Sequence, residues 1–170
     1  MPGLTVLQKN VMNLDSQVRL ANKDDLDQVR SNELGVAPEL IELKIERKEM
    51  IVCDDAGQIT GILRFQLFWD YLPFINFLWV EEGFRRERRA KRMIQKLEEI
   101  THGRNYQRIM VSTQSNETTQ DFYRAVGFED AGGFTMRDQP FELIMIKYLE
   151  SKQNKAVFPT AVLRTSVADG

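Results

Sequence analysis

Between Arg85 and Arg92 the chain sets six basic side chains in eight consecutive positions, reading RRERRAKR, although its formal net charge is only −2. Guanidinium groups at this density suit phosphate oxygens, to which they donate charge-assisted hydrogen bonds. Three readings compete: a basic arm for nucleic acid, a solvated helix face, and a cradle for a small phosphate-bearing ligand. The slightly acidic whole and the lack of aromatics among these arginines argue against the first. The flanks bear on the other two. Upstream, FINFLWV is nearly all apolar, as expected of a strand buried on both faces. Downstream, Ala90, Met93, Ile94, Leu97 and Ile100 recur at helical spacing. The stretch thus joins a strand to a helix, a junction where free backbone N–H groups and the positive helix end converge. In open α/β sheets ligands also collect there, outside the carboxyl ends of the strands.

The remaining elements follow from periodicity and turn residues. SQVRLAN alternates as a first strand, and Asn22 is placed to cap a short helix in KDDLDQVRSNE. Pro38 fits the first turn of a second helix, whose Leu40, Ile41, Leu43 and Ile45 give a broad apolar side. EMIVCDD, AGQ and ITGILRFQLFWD make a hairpin, and YLP turns the chain into FINFLWV. The helix after the basic stretch closes at Gly103, and YQRIMVSTQ is a strand with a polar end. ETTQDFYRAV is a short helix ended by Gly127, followed by GGFTM and FELIMIKYL as a closing antiparallel pair. The order is β-α-α-β-β-β-α-β-α-β-β, a mixed α/β (α+β) chain.

Residues 1–16 read as an N-terminal arm, 17–149 as one domain and 150–170 as a C-terminal tail. Within the tail, AVFPTAVL is apolar enough to dock on its own domain or on a partner. With 170 residues, 42% hydrophobic and 28% charged, the chain is of the ordinary soluble globular kind. Its one cysteine, Cys53, excludes an internal disulfide framework or a Cys-cluster metal site and is expected to be a buried, inert thiol. The single histidine, His102, falls at a helix C-terminus where a cation is favourable, a structural place. MPGLTVLQKN lacks a secretory pattern and no apolar run approaches a membrane span, so a cytoplasmic location is the expectation.

From about Gln17 to Leu149 the chain resembles the GNAT superfamily of acetyl-CoA-dependent N-acetyltransferases. The family's pyrophosphate loop follows its fourth strand as Arg/Gln-x-x-Gly-x-Gly/Ala, and VEEGFRRERRA has Val80, Arg85 and Ala90 in register. Its second signature is an Asn seven residues before a Tyr, with Gly-Phe four residues after that Tyr. SNETTQDFYRAVGF supplies Asn116, Tyr123, Gly127 and Phe128 at this spacing. The order of elements also matches the family's mixed, mostly antiparallel sheet of six to seven strands flanked by about four helices. The chain departs from the pattern at Arg88, where the family has glycine, and at Arg86, where another glycine is common. A Cβ at these positions crowds the approach of the backbone to a pyrophosphate, while the added charge attracts phosphate from further away.

The resemblance implies direct acetyl transfer from acetyl-CoA to a primary amine of a small-molecule or peptide acceptor, without an acyl-enzyme. It implies a monomer or homodimer with no metal, nucleic acid or membrane. The backbone of Leu78, Trp79 and Val80 would hold the pantetheine and polarise the thioester carbonyl. Arg85, Arg86, Glu87, Arg88, Arg89 and Ala90 would form the pyrophosphate loop, and Asn116 would fix the cofactor or cap the next helix. Tyr123 would protonate the departing thiolate, or else is a core residue of an amphipathic helix. Some members carry a basic Glu on the fourth strand, where this chain offers only Asn76; Glu81, Glu82 and Asp70 lie nearby as surface carboxylates. Trp69, Tyr71, Leu72, Pro73 and Phe74 fall in a turn expected to border the acceptor site, favouring an apolar or aromatic acceptor, or are simply a hydrophobic hairpin end. The alternative function is a catalytically silent GNAT-fold module for acyl-CoA binding or interaction.

Overall fold

The computed structural model describes residues 16–32 and 35–150. Its elements are β1 (Ser16–Leu20), α1 (Leu26–Asn32), α2 (Pro38–Glu46), β2 (Met50–Asp55), β3 (Gln58–Phe68), β4 (Leu72–Val80), α3 (Arg89–Gly103), β5 (Arg108–Gln114), α4 (Thr119–Ala125), β6 (Glu129–Phe134) and β7 (Glu142–Tyr148). The seven strands form one sheet in the order β1-β2-β3-β4-β5-β7-β6. Only β4 and β5 run parallel, so the expected mixed, mostly antiparallel architecture holds.

Local chemistry accounts for most boundaries. The Asn22 side chain accepts from the Asp24 N–H, and the Asp25 carboxylate accepts from the Asn22 N–H, closing a capping box ahead of α1. Arg19 of β1 binds the same Asp25, and also Asp54 of β2, at 2.7 Å each. Ala56 and Gly57, with φ of 52° and 90°, make the tight β2–β3 turn. Two expectations need correction. Ile41 and Ile45 are buried but Leu40 and Leu43 are exposed, so the apolar stripe of α2 is narrower than its composition implies. Gly103 lies inside the last turn of α3; the left-handed residue beyond that helix is Asn105, whose short polar side chain tolerates φ of 59°.

The sheet separates two cores. On one face Met93, Ile94 and Leu97 of α3, with Tyr123 of α4, pack on Ile51, Leu63, Phe65, Ile75, Ile109 and Val111. A Cβ at Gly61 would lie 2.9 Å from Met93 Cε and 3.2 Å from Cys53 Cβ, so α3 packs closely on β3 at this glycine. On the other face Val29, Ile41 and Ile45 cover Val52, Ile59 and Ile62, with Phe77 and Trp79 at the margin.

The centre of the sheet is deliberately weak. The β4–β5 ladder comprises Phe74–Met110 and Ile75–Val111. Just beyond it the β3–β4 register slips, leaving Asn76 as an extra residue between Ile75 and Phe77. Such a bulge bends a strand and increases its twist. From Asn76 onward β4 departs from β5, which is why FINFLWV is not buried on both faces: Asn76 is exposed and Phe77 to Val80 are half-buried.

One buried ion pair fixes the start of α3. Arg89 is 1% exposed and donates to both oxygens of Asp55, itself 0% exposed, at 2.8 and 3.1 Å. The guanidinium also binds Glu87 and lies 4.5 Å from the Phe84 ring centroid. Burial pushes the Asp55 carboxyl up, but the Arg89 guanidinium and the Thr60 hydroxyl outweigh it and hold that carboxyl below the usual range. Removing one member strands the other charge, so Asp55→Ala should cost about 3–5 kcal/mol in a denaturant or thermal melt. Because the folded-state pKa is depressed, this contribution is complete above the unfolded value of about 3.9 and is lost on acidification below it.

Candidate functional site

An open edge lies inside the sheet. Phe77, Leu78, Trp79 and Val80 pair with Arg64, Leu63, Ile62 and Gly61 of β3, and have no ladder partner on the β5 side among the described residues. The free N–H and C=O groups of such an edge are a template for an extended group carrying amides. Leu78 and Val80 turn toward the α3 core, while Phe77 and Trp79 turn toward the α1–α2 face. The three strand residues expected to hold pantetheine therefore stand at the gap.

The loop leaving β4 is fastened at both ends. After a single helical turn over Glu82–Phe84, Arg85 Nε donates to the Val80 carbonyl at 3.2 Å, and Arg89 is held by Asp55. Between them Arg86 and Arg88 have φ of 66° and 64°, the left-handed region in which glycine is the default. Both arginines thus take the conformation a glycine would, while keeping the Cβ that a glycine lacks. The first intrahelical bond of α3 runs from the Arg92 N–H to the Arg88 carbonyl at 2.9 Å. The N–H groups of Arg89, Ala90 and Lys91 precede it, and no side chain caps them. They gather at the positive end of the helix.

Only part of the basic stretch faces outward. Arg89 points into the protein, so its guanidinium is unavailable to a phosphate and its backbone N–H is what it offers. Glu87 is spent on Arg89, and Arg92 donates to the Ser16 carbonyl and hydroxyl at 2.7 and 2.8 Å. Arg86, Arg88 and Lys91 are exposed beside the free amides.

Tyr123 is 4% exposed and packs edge-on against Phe128, with ring centroids 5.4 Å apart. Burial first, and the charge of Glu117 second, push its phenol up to about 12, so it holds its proton throughout the neutral range. Glu117 accepts from the Thr113 hydroxyl at 3.0 Å and the Thr119 hydroxyl at 3.4 Å. Sequence reasoning passed over Glu117, although it adjoins Asn116 within the motif. Asn116 does not cap α4, whose N-cap is Thr118; it is exposed just past the end of β5, where the gap opens.

The aromatic turn is elsewhere. Phe68 pairs with Leu72, so Trp69 and Tyr71 lie at the start of β4, and the paired Phe74–Ile75 segment separates them from the gap. The turn expected to border the acceptor site thus stands at the end of β4 away from the gap. Leu72 and Pro73 are buried rather than lining a pocket. At the gap end stands the β6–β7 connection, with Glu142 opposite Gln114 and with Met136 and Phe141 exposed. Glu81 accepts from the Gln58 amide at 2.9 Å, Glu82 and Asp70 are exposed, and Cys53 is buried as expected. Among the described residues no helix is long and apolar enough to cross a membrane.

A family model described as the acetyltransferase (GNAT) family matches residues 19–128. No curated protein matches the sequence. Among solved structures, a GNAT-family acetyltransferase from Bacillus cereus is 23% identical at a TM-score of 0.68, covering 80% of this chain and 99% of that one. Ard1 from Thermoplasma volcanium is 14% identical at a TM-score of 0.67, with 80% and 99% covered. The ribosomal-protein-S18-alanine N-acetyltransferase from Escherichia coli is 12% identical at a TM-score of 0.66, with 84% and 99% covered. At these identities the likeness is one of fold.

The left-handed loop residues generate a stability prediction. A non-glycine residue there costs about 1–2 kcal/mol, and glycine's extra freedom in the unfolded chain costs about 0.5–1 kcal/mol. Arg88→Gly should therefore leave the urea midpoint unchanged or slightly raised. Arg88→Val, with a branched Cβ unsuited to that conformation, should lower it clearly.

Proposed function

Because the chain belongs to the acetyltransferase (GNAT) family, we propose that it moves an acetyl group from acetyl-CoA directly to a primary amine of a small-molecule or peptide acceptor. The observation that carries this reading is the meeting, at one end of the sheet, of a gap between parallel strands, an amide-rich helix start flanked by arginines, and a buried phenol. Acetyl-CoA supplies an activated thioester when bound. The open edge at Leu78, Trp79 and Val80 matches the amides of a pantetheine arm. The N–H groups of Arg89, Ala90 and Lys91, with the side chains of Arg86 and Arg88, fit a pyrophosphate. Arg85 and Glu87 act indirectly, by shaping the loop. Asn116, exposed just past the end of β5, is a further candidate contact for the same ligand.

Tyr123 Oη is the proton donor in this reading, delivering to the sulfur as the carbon–sulfur bond breaks. The charge of Glu117 disfavours the tyrosinate and so favours its rapid reprotonation. The acceptor enters as the free amine, because only that form has the lone pair that attacks. One fold neighbour is named for a protein alanine amine, which makes peptide N-termini the first acceptors to screen.

Acetyl-CoA should raise the melting temperature, since a ligand held only by the folded state adds about 2.7 kcal/mol at a hundredfold excess over Kd. An unchanged melt at low salt would move the assignment to a silent interaction module.

Tyr123→Phe should lower kcat by about 10²–10⁴ while leaving CoA affinity nearly unchanged. With the phenol pushed up to about 12, the parent rate should rise with pH as the acceptor deprotonates. No downturn from this group is expected until that value is neared. Equal rates in parent and variant would return Tyr123 to a packing role.

A further inference from the structure

The β3–β4 turn, at the end of the sheet away from the gap, exposes Phe68, Trp69 and Tyr71 by 38%, 68% and 44%. The rings of Phe68 and Trp69 are 4.7 Å apart, those of Trp69 and Tyr71 stack at 6.5 Å, and Phe74 lies 6.5 Å from Phe68. The backbone holds this display, since Trp69 and Asp70 are both left-handed with φ of 53° and 64°. A contiguous aromatic surface of this kind is ordinarily covered.

The chain leaves its domain at the same end. Tyr148 lies opposite Arg108, and the Leu149 N–H donates to the Gln107 carbonyl at 2.9 Å. Met110, two positions further along β5, is opposite Phe74. The sequence that follows, SKQNKAVFPTAVLRTSVADG, contains one apolar segment, Ala156 to Leu163, between Lys155 and Arg164. With strands about 4.8 Å apart, β4 and β3 lie roughly 10–15 Å from β7. The seven residues from Leu149 to Ala156 reach up to about 24 Å. The flanking cations of the segment also complement Asp70 in the turn. Of the other exposed apolar side chains described in this half of the sheet, Phe134, Met136 and Phe141 lie toward the opposite end of β7, beside the candidate site, while Tyr148 stands at the end where the chain leaves the sheet.

We propose that residues 156–163 of the same chain pack on the Phe68–Trp69–Tyr71 turn, with Phe158 and Pro159 against its rings. The surface is thus an intramolecular clasp that ties the C-terminal segment to the β3–β4 hairpin, at the end of the sheet remote from acetyl transfer.

Trp69 reports on this directly, because the chain has two tryptophans and Trp79→Phe leaves it alone. In that full-length chain Trp69 should emit at short wavelength and resist acrylamide. Adding Phe158→Asp and Val162→Asp should shift its emission to the red and raise quenching several-fold. Protection should persist over about a hundredfold dilution, since an intramolecular contact does not follow mass action. If Trp79→Phe fails to fold, the same comparison in the two-tryptophan chain reads the same difference. Equal quenching with and without the tail substitutions overturns the proposal. Protection that fades on dilution also overturns it, and gives the surface to a second copy.

Discussion

The structure is organised around a charge that cannot leave. Arg89 and Asp55 are both withdrawn from water, and neither is tolerable there without the other. Their pairing joins the end of β2 to the first residue of α3, across the sheet edge from which the candidate loop departs. An apolar pair of similar volume could supply comparable stability, but without directional bonds between the two elements. A bidentate guanidinium–carboxylate contact has one register. Given that register, the amides of Arg89, Ala90 and Lys91 open to the outside, and the residues between the two fastenings must turn sharply. Arg86 and Arg88 absorb that turn.

The second constraint is a single surplus residue. Asn76 interrupts the β3–β4 ladder at the point where β4 parts from β5, so a continuous sheet becomes one with a slot. Parallel pairing would otherwise consume the polar groups of Phe77 to Val80. The slot is kept open on one side by α3, anchored through Arg89, and on the other by α4, where Tyr123 packs with β5. The ion pair and the bulge thus both act on the β4–α3 side of this space, and α4 with β5 lines the other.

What the sequence disclosed was local. The N-cap at Asn22, the proline opening α2, the periodicity of α3 and the glycine after α4 are decided within a few residues, and each is present. What it concealed was long-range. The partner of Arg89 lies 34 positions away, so the basic run does not reveal that one of its guanidinium groups is buried and that Arg85 and Arg92 are bonded to Val80 and Ser16. The apolar FINFLWV has the composition of a strand covered on both faces, since a register slip against β3 leaves no mark in hydropathy. The aromatic turn had the composition of a binding wall, but only the strand directions show that it occupies the far end of β4. The spacing of Asn116 and Tyr123 marks them as candidates, while their contacts, including the place of Thr118 as N-cap, require the fold.

The left-handed arginines have a genetic consequence. Glycine codons GGN and arginine codons CGN differ by one base, so a backbone position that holds either residue can exchange them in a single step. At such a position the exchange leaves the course of the chain intact and alters only charge and bulk at the rim. In the proposed reading, the loop between the two fastenings is therefore a place where a single base change alters the charge offered to the ligand without altering the scaffold that carries it.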